Sequence, residues 1–259
     1  MTLSKNNVKF IKSLRLKKFR QKYNNFIVEG DKMVRELLEQ RPGQAVALYA
    51  LEGWLSGAEE ARAVPPEKRF CVSPAELKKI SNLSTPNQVA AVAVIPEVKM
   101  EDVQPAGALS LYLDGIQDPG NFGTILRIAD WFGISCVFSS PDCVDAYHPK
   151  VIQATMGAFL RVSCIEMDIT SILKLYPGLP VYGAVMDGED VFRADLDGAR
   201  GLLVIGNEGR GITPEAERLL SHRISIPAAA HSRAESLNAA VAAGILCAVF
   251  RDRQGKAQL

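Results

Sequence analysis

From residue 108 onward, short apolar segments alternate regularly with amphipathic ones, and this pattern limits the folds open to the chain. The segments predicted as strands are 109–113, 135–139, 161–166, 180–186, 201–205 and 223–227. The segments predicted as helices are 122–132, 149–159, 168–176, 213–221 and 235–252. Strands that alternate with helices run parallel, because each helix carries the chain back to the start of the next strand. We therefore predict an α/β fold with a mostly parallel sheet.

The first 95 residues predict a smaller α/β unit. Its strands are expected at 26–30, 45–51 and 88–95, and its helices at 7–20, at 31–40 and from the capping box at Ser73. Residues 96–107, PEVKMEDVQPAG, contain two prolines, one glycine and four charges, which is typical of a linker. We predict a first domain over 1–95, a linker over 96–107 and a second domain over 108–259.

The composition of the chain is that of a globular protein, with 47% apolar and 23% charged residues among 259. The longest apolar run, 239–250, is shorter than the roughly 20 residues that span a bilayer. The N-terminus lacks the apolar segment of a secretory signal. The five cysteines are odd in number and dispersed, as expected in a reducing compartment. We therefore expect a cytoplasmic protein with no membrane association.

Positive charge is concentrated at the N-terminus. Residues 1–22 hold eight basic side chains and no acidic one. This leaves 22 of the 30 basic side chains and all 29 acidic ones, a net charge of −7, in the other 237 residues. Such a distribution favours a polyanionic partner such as a nucleic acid. The alternative is a solvated helix face without a partner.

Three loops follow predicted strands, where α/β sheets bind their ligands. In the first loop, Asn121 stands at the start of a helix and Arg127 lies beside that helix's apolar stripe. Each also has a simpler interpretation, Asn121 as a helix cap and Arg127 as a surface residue. The third loop begins at Ile226-Pro227 and reaches a helix of small residues at Ser236-Leu237-Asn238.

The second loop, GNEGRGI over 206–212, places three glycines around Glu208 and Arg210. It lacks both the dinucleotide G-x-G-x-x-G spacing and the lysine of a P-loop. Glycines after a buried strand nevertheless favour a small ligand held by backbone groups. A mobile connection, or a nucleotide-binding enzyme that uses this loop, remains an alternative.

Together the three loops resemble the signature motifs of the SpoU-type branch of the SPOUT RNA methyltransferases. The matching residues are Asn121, Gly123 and Arg127, then Gly206, Glu208 and Gly211, and finally Ile226-Pro227 with Ser236-Leu237-Asn238. QATMGAF at 153–159 is similar to a further family segment. The basic N-terminal region resembles the ribosomal-protein-like substrate-binding domain of the same family.

The resemblance implies a fold and an activity. The C-terminal α/β domain would contain a trefoil knot that binds S-adenosylmethionine, and the small N-terminal α/β domain would bind RNA. The reaction would methylate a ribose 2′-hydroxyl. A homodimer would form the active site at its interface. The separate substrate domain favours ribosomal RNA, with transfer RNA as the other possible substrate.

The resemblance also implies roles for individual residues. Arg127 matches the residue proposed in the family as base or as positioner. Because a guanidinium keeps its proton in proteins, holding an RNA phosphate and polarising the hydroxyl is an easier role than acting as a base. The side chains that would order the site are Asn121, Glu208, Ser236 and Asn238. The residues whose backbone would hold the cofactor are Gly206, Ile226 and Leu237.

The chain departs from the family pattern after Ile226-Pro227, where Ala228–Ala230 replace the usual Met-x-Gly and the loop is two residues longer. This affects the expected cofactor contacts of the third motif. The resemblance implies no metal, and His148, His222 and His231 lie far apart in sequence. The alternative function is a non-catalytic RNA-binding or ribosome-assembly protein derived from this fold.

Overall fold

The computed structural model describes residues 3–98, 100–103, 107–196 and 200–257. The chain divides into two compact units. The first comprises Met1–Glu97 and Asp145–Leu160, and the second comprises Val98–Val144 and Arg161–Leu259. None of the helices in the described part of the chain has the length and apolar composition that crossing a bilayer requires.

The first unit is built on a four-stranded sheet. Its strands are β1 (Asn25–Glu29), β2 (Ala45–Ala50), β3 (Arg69–Cys71) and β4 (Val89–Val94), in the order β1-β4-β2-β3. β4 runs antiparallel to β1 and β2, and β3 runs parallel to β2. The helices of this unit are α1 (Lys5–Ser13), α2 (Lys17–Tyr23), α3 (Asp31–Gln40), α4 (Glu52–Gly57), α5 (Pro74–Ile80) and α7 (Pro149–Thr155).

The predicted helix over 7–20 is two helices in the structure. Leu16 has an extended backbone (φ −101°, ψ 129°) and separates α1 from α2. The turn places Arg20 where its guanidinium donates to the Leu14 carbonyl and to the Asp145 carboxylate. The break between the two helices therefore allows the buried Arg20–Asp145 ion pair to form. The sequence pattern does not show this pair.

Residues 145–160 pack with the first unit, although the sequence analysis grouped them with the second domain. Ile152 and Leu160 belong to the same apolar core as Phe26 and Leu37. α7 is four residues shorter than predicted, because Met156 (φ 51°) and the following glycine (φ 100°) adopt left-handed backbone conformations.

The second unit contains a six-stranded sheet. Its strands are β5 (Leu109–Asp114), β6 (Cys136–Ser139), β7 (Ser163–Glu166), β8 (Val181–Asp190), β9 (Gly201–Gly206) and β10 (His222–Ser225). The order is β10-β8-β9-β5-β6-β7, and every strand pairs in parallel with its neighbours. The helices are α6 (Pro119–Trp131), α8 (Ile169–Leu175), α9 (Pro214–Glu217) and α10 (Ala239–Ala257). The predicted α/β class with a mostly parallel sheet is confirmed.

Sheet register determines where the site forms. Asp114, the last residue of β5, pairs with Gly206, the last residue of β9. The loops that follow these two strands therefore leave the sheet side by side, although about 90 residues separate them in sequence. β6 lies next to β5 and β8 lies next to β9, so the sheet extends in opposite directions from this central pair. Such a position is where open α/β sheets bind ligands.

Two helix starts near the site differ from prediction. α6 begins three residues early, at Pro119, because the Asp118 carboxylate caps it. α10 begins at Ala239 rather than at 235, because Asn238 is the residue that caps it. The Asn238 Oδ1 accepts the backbone N–H groups of Ala240 (3.0 Å) and Val241 (3.3 Å).

Candidate active site

Asn121 lies at the centre of a hydrogen-bonded chain that joins the three predicted loops. Its Nδ2 donates to Oε1 of Glu208 at 2.5 Å. Its Oδ1 accepts a hydrogen bond from Nδ2 of Asn238 at 2.9 Å. Each residue comes from a different loop, so the fold brings together three of the side chains that the resemblance assigned to one site.

Asn121 is available for these contacts because another residue caps its helix. The backbone N–H of Asn121 donates to Oδ1 of Asp118 at 2.8 Å. Asn121 therefore lies inside the first turn of α6, and its side chain points away from the helix ladder toward Glu208. The interpretation of Asn121 as a plain helix cap is wrong.

The glycine-rich loop after β9 has a fixed shape. Asn207 and Gly211 exchange both of their backbone hydrogen bonds, at 3.0 and 2.9 Å. The Asn207 Oδ1 accepts the N–H groups of Gly209 and Arg210, while its Nδ2 donates to the carbonyl of Gly115 at 2.8 Å. This hydrogen-bonded turn presents Glu208. Sequence reasoning did not identify Asn207, whose role depends on the neighbouring β5 loop.

Gly206 is required by a close backbone approach. A Cβ atom built on it would lie 2.4 Å from the carbonyl carbon of Gly211 and 2.5 Å from the nitrogen of Ile212. Gly211 itself has φ +70°, in the left-handed region that favours glycine. Backbone crowding at Gly206 and the backbone conformation of Gly211 therefore favour glycine at both positions, whether or not a ligand binds.

A cavity of about 650 Å³ opens beside this loop. All three residues proposed for cofactor binding, Gly206, Ile226 and Leu237, line it. Glu208 also lines the cavity and so connects it to the chain of hydrogen bonds through Asn121. This volume lies within the range of about 300–1,000 Å³ that is usual for small-molecule sites.

The cavity wall includes residues that the sequence analysis missed. Ala184, Val185 and Met186 lie on β8, inside the predicted strand 180–186, and they line the cavity, although no sequence motif indicated this role. Ser236, on the third loop, also lines the cavity. β8 extends four residues beyond its predicted end, because those residues, DGED, are too polar to be predicted as a strand.

Arg127 is placed differently from the other proposed residues. It lies on α6 beyond Asn121, is exposed, and makes no hydrogen bond or ion pair with the residues that the structure describes. On the same helix Trp131 is 84% exposed, and on α10, which packs against α6, Val241 is 52% exposed. Large apolar side chains therefore lie on the outer surfaces of the two helices that carry Asn121 and Asn238.

The other groups near the ends of β5 and β9 are held in structural contacts. The buried Asp114 carboxylate accepts the N–H of Thr213 at 2.6 Å. Burial raises the pKa of the Cys143 thiol, which donates to the carbonyl of Leu113 and stays protonated at neutral pH. Within the described ranges, no group of three or more His, Cys, Asp or Glu side chains is arranged to hold a metal ion.

Comparison with known proteins agrees with this geometry. The sequence profile of the SpoU rRNA Methylase family matches residues 108–248, and that of the MRM3-like substrate binding domain matches residues 5–91. The 23S rRNA (guanosine(2553)-2′-O)-methyltransferase RlmP of Bacillus subtilis is 29% identical over 92% of this chain and 93% of its own.

Two solved structures are similar over nearly their whole length. A protein from Porphyromonas gingivalis, assigned to the TrmH family of RNA methyltransferases, has a TM-score of 0.84 and 39% identity, covering 97% of this chain and 99% of its own. An AdoMet-bound rRNA methyltransferase from Sinorhizobium meliloti has a TM-score of 0.85 and 26% identity, covering 98% of each chain. The chain belongs to the SpoU rRNA methylase family, and the resemblance drawn from its three motifs is confirmed.

Proposed function

We propose that this protein is an S-adenosylmethionine-dependent 2′-O-ribose methyltransferase that acts on ribosomal RNA. The observation that carries the proposal is the position of Glu208. This carboxylate lines the cavity beside Gly206, Ile226 and Leu237, and it also accepts the amide of Asn121. A small-molecule cavity and a polar cluster built from three loops therefore share one wall.

The cavity fits the proposed cofactor. Its apolar walls from β8 and the third loop suit an adenine ring, and the glycine loop exposes backbone groups for polar contacts. The residues that would hold the cofactor are Gly206, Ile226 and Leu237. When bound, S-adenosylmethionine supplies an activated methyl group, so the protein mainly has to align the acceptor hydroxyl and help remove its proton.

The polar residues of this chain then have separate tasks. Asn121, Glu208, Ser236 and Asn238 order the site around the acceptor ribose. Arg127 holds the adjoining RNA phosphate through its guanidinium and polarises the 2′-hydroxyl. The absence of an ion pair between Arg127 and any described residue supports this role, since the guanidinium is available for a phosphate.

The active form in this proposal is a homodimer. The exposed Trp131 and Val241 lie on helices that carry site residues, and a twofold interface would cover them. Residues 1–95 would bind RNA, and residues 108–259 would bind cofactor and carry out methyl transfer. The trefoil knot and the cytoplasmic location stay predictions.

The experiment combines binding and transfer. Calorimetry with S-adenosylmethionine tests the cavity, and incorporation of labelled methyl groups into ribosomal and transfer RNA from cells that lack the gene tests the reaction. We expect label in ribosomal RNA, recovered as a 2′-O-methyl nucleotide. Label in transfer RNA alone would reassign the substrate. A folded dimer that binds RNA and transfers no label to either would be a non-catalytic RNA-binding protein.

A further inference from the structure

Helix α2 buries an arginine and exposes a tyrosine. Arg20, at 1% exposure, is the one buried residue of this helix, all of which is described. In contrast, Tyr23 is 40% exposed and Leu16, just before the helix, is 53% exposed. A short helix normally buries its aromatic side chains and exposes its arginine. This arrangement leaves an aromatic surface facing outward.

The buried arginine fixes this orientation. The Arg20 Nε donates to Oδ2 of Asp145 at 2.9 Å, and its Nη1 donates to the carbonyl of Leu14 at 2.7 Å. Asp145 is held in turn by the N–H of Tyr147, which donates to its Oδ1 at 2.8 Å. Rotation of α2 to bury Tyr23 would separate this ion pair, so the exposed position of Tyr23 follows from the buried Arg20.

The rings form a cluster with lysines beside them. Tyr23 contacts Phe10 edge-on, with centroids 5.1 Å apart, and lies parallel to Phe19 at 6.1 Å with an interplanar angle of 11°. The Lys18 Nζ lies 5.1 Å from the centroid of Phe19, and the Lys22 Nζ lies 5.5 Å from that of Tyr23. We call these five residues the aromatic-lysine patch.

The surroundings of the patch are positively charged. Lys5, Lys9 and Lys12 are exposed at helical spacing on α1, and residues 1–22 contain no acidic side chain. Arg20 takes no part in this surface charge, because it is buried and paired with Asp145. Arg15 is exposed and adds to it, although its Nη2 donates to the Ser81 carbonyl. The exposed charge is therefore carried mainly by flexible lysines, which suit the negatively charged backbone of a strand that passes the rings.

We propose that the aromatic-lysine patch is a stacking site for an unpaired nucleobase of single-stranded RNA. A base would stack on the exposed surface of Tyr23, while Lys18 and Lys22 turn toward the phosphates on either side. Single-strand binders combine these two features, aromatic platforms and basic grooves. Duplex RNA offers no free base face, since its bases already stack on one another. The inference rests on the proposed function and specifies the form of RNA that the first unit recognises.

The test uses the full chain and a single-stranded RNA of about 12 nucleotides, within the site size of single-strand binders, that contains 2-aminopurine. A blunt duplex of the same sequence is the competitor. We expect tighter binding of the single strand, with a fluorescence change as the base stacks. Tyr23→Ala should weaken single-strand binding about tenfold and abolish the fluorescence change, whereas Tyr23→Phe should retain both.

A matched control is Val46→Ala on β2, an apolar side chain exposed to a similar extent (36%) in the same unit. It should leave RNA binding unchanged. Equal binding by wild type and Tyr23→Ala overturns the inference, as does a wild type that prefers the duplex or binds neither probe. Cofactor affinity and methyl transfer are measured in parallel on wild type, so a failure of the methyltransferase proposal is seen separately from a failure of the stacking site.

Discussion

Asn238 donates its side-chain amide to Oδ1 of Asn121 at 2.9 Å, and this bond joins residues that lie 117 positions apart. The same Asn238 side chain caps α10 through its Oδ1. One residue therefore fixes where the last helix begins and orients the central residue of the candidate site. The two roles use different atoms, so substitutions can separate them.

Replacing Asn238 by aspartate should keep the cap and lose the amide donor. We expect Asn238→Asp to retain a melting temperature close to wild type, while Asn238→Ala loses about 1 kcal/mol of stability with the cap. Methyl transfer should fall strongly in both variants, because Asn121 is no longer oriented. Thermal melts and transfer assays on the same samples provide the comparison. Wild-type turnover by Asn238→Asp would show that the amide contact has no part in the reaction.

Gly206 and Gly209 form a matched pair for testing the glycine loop. A Cβ at Gly206 would meet backbone atoms at 2.4–2.6 Å, whereas a Cβ at Gly209 would meet only the Asn207 Oδ1, at 3.7 Å. We expect Gly206→Ala to cost about 1–3 kcal/mol, as overpacking does, and to weaken S-adenosylmethionine binding. Gly209→Ala should change neither quantity measurably. The cofactor affinity is measured by calorimetry and the stability by denaturant unfolding. If the two variants change these quantities equally, the close backbone approach at Gly206 is unimportant.

The sequence predicts the architecture well because its signals are local. Strands such as β5 and β9 are buried along almost their whole length and alternate with helices, so the spacing and length of the apolar segments suffice to identify them. The predicted start of α10 at 235 was too early, because a run of small residues does not show which residue caps the helix. Asn238 caps it, and the same side chain contacts Asn121, which is distant in sequence.

The motifs identified Asn121, Glu208 and Asn238, but spacing alone cannot show that they hydrogen-bond to one another. Sheet register supplies this information, since it places the end of β5 beside the end of β9. The grouping of residues 145–160 with the first unit has a similar origin. It depends on the Arg20–Asp145 pair and on apolar contacts of Ile152 across more than 100 residues.

The proposed dimer can be tested through Trp131 and Val241. Light scattering at micromolar concentration should give about twice 28.2 kDa. Trp131→Glu or Val241→Glu should produce monomers, because each places a charge in the centre of an apolar interface. Leu175→Glu is the control, since Leu175 is 54% exposed at the end of α8 and lies on neither helix. A wild-type monomer at these concentrations would contradict the proposal that the active site lies at a dimer interface.

Arg127 provides the decisive test of the catalytic proposal. Since it is exposed and makes no contact with charged groups in the described part of the chain, Arg127→Ala should change stability by less than about 0.5 kcal/mol. Methyl transfer should nearly disappear, with kcat and kcat/KM falling together, as expected for an interaction made in the transition state. Arg127→Lys keeps the charge but loses the two-pronged contact with phosphate, so it should be severely impaired as well.

The matched control for Arg127 is Arg161→Ala. Arg161 pairs with Asp130 on the same α6, and its removal should leave turnover intact while it affects stability slightly. Cofactor affinity by calorimetry and dimerisation by light scattering should stay at wild-type values in the Arg127 and Arg161 variants. A folded, dimeric Arg127→Ala that methylates its RNA at the wild-type rate would remove Arg127 from the mechanism. Full RNA binding without any methyl transfer by the wild type would favour the non-catalytic alternative instead.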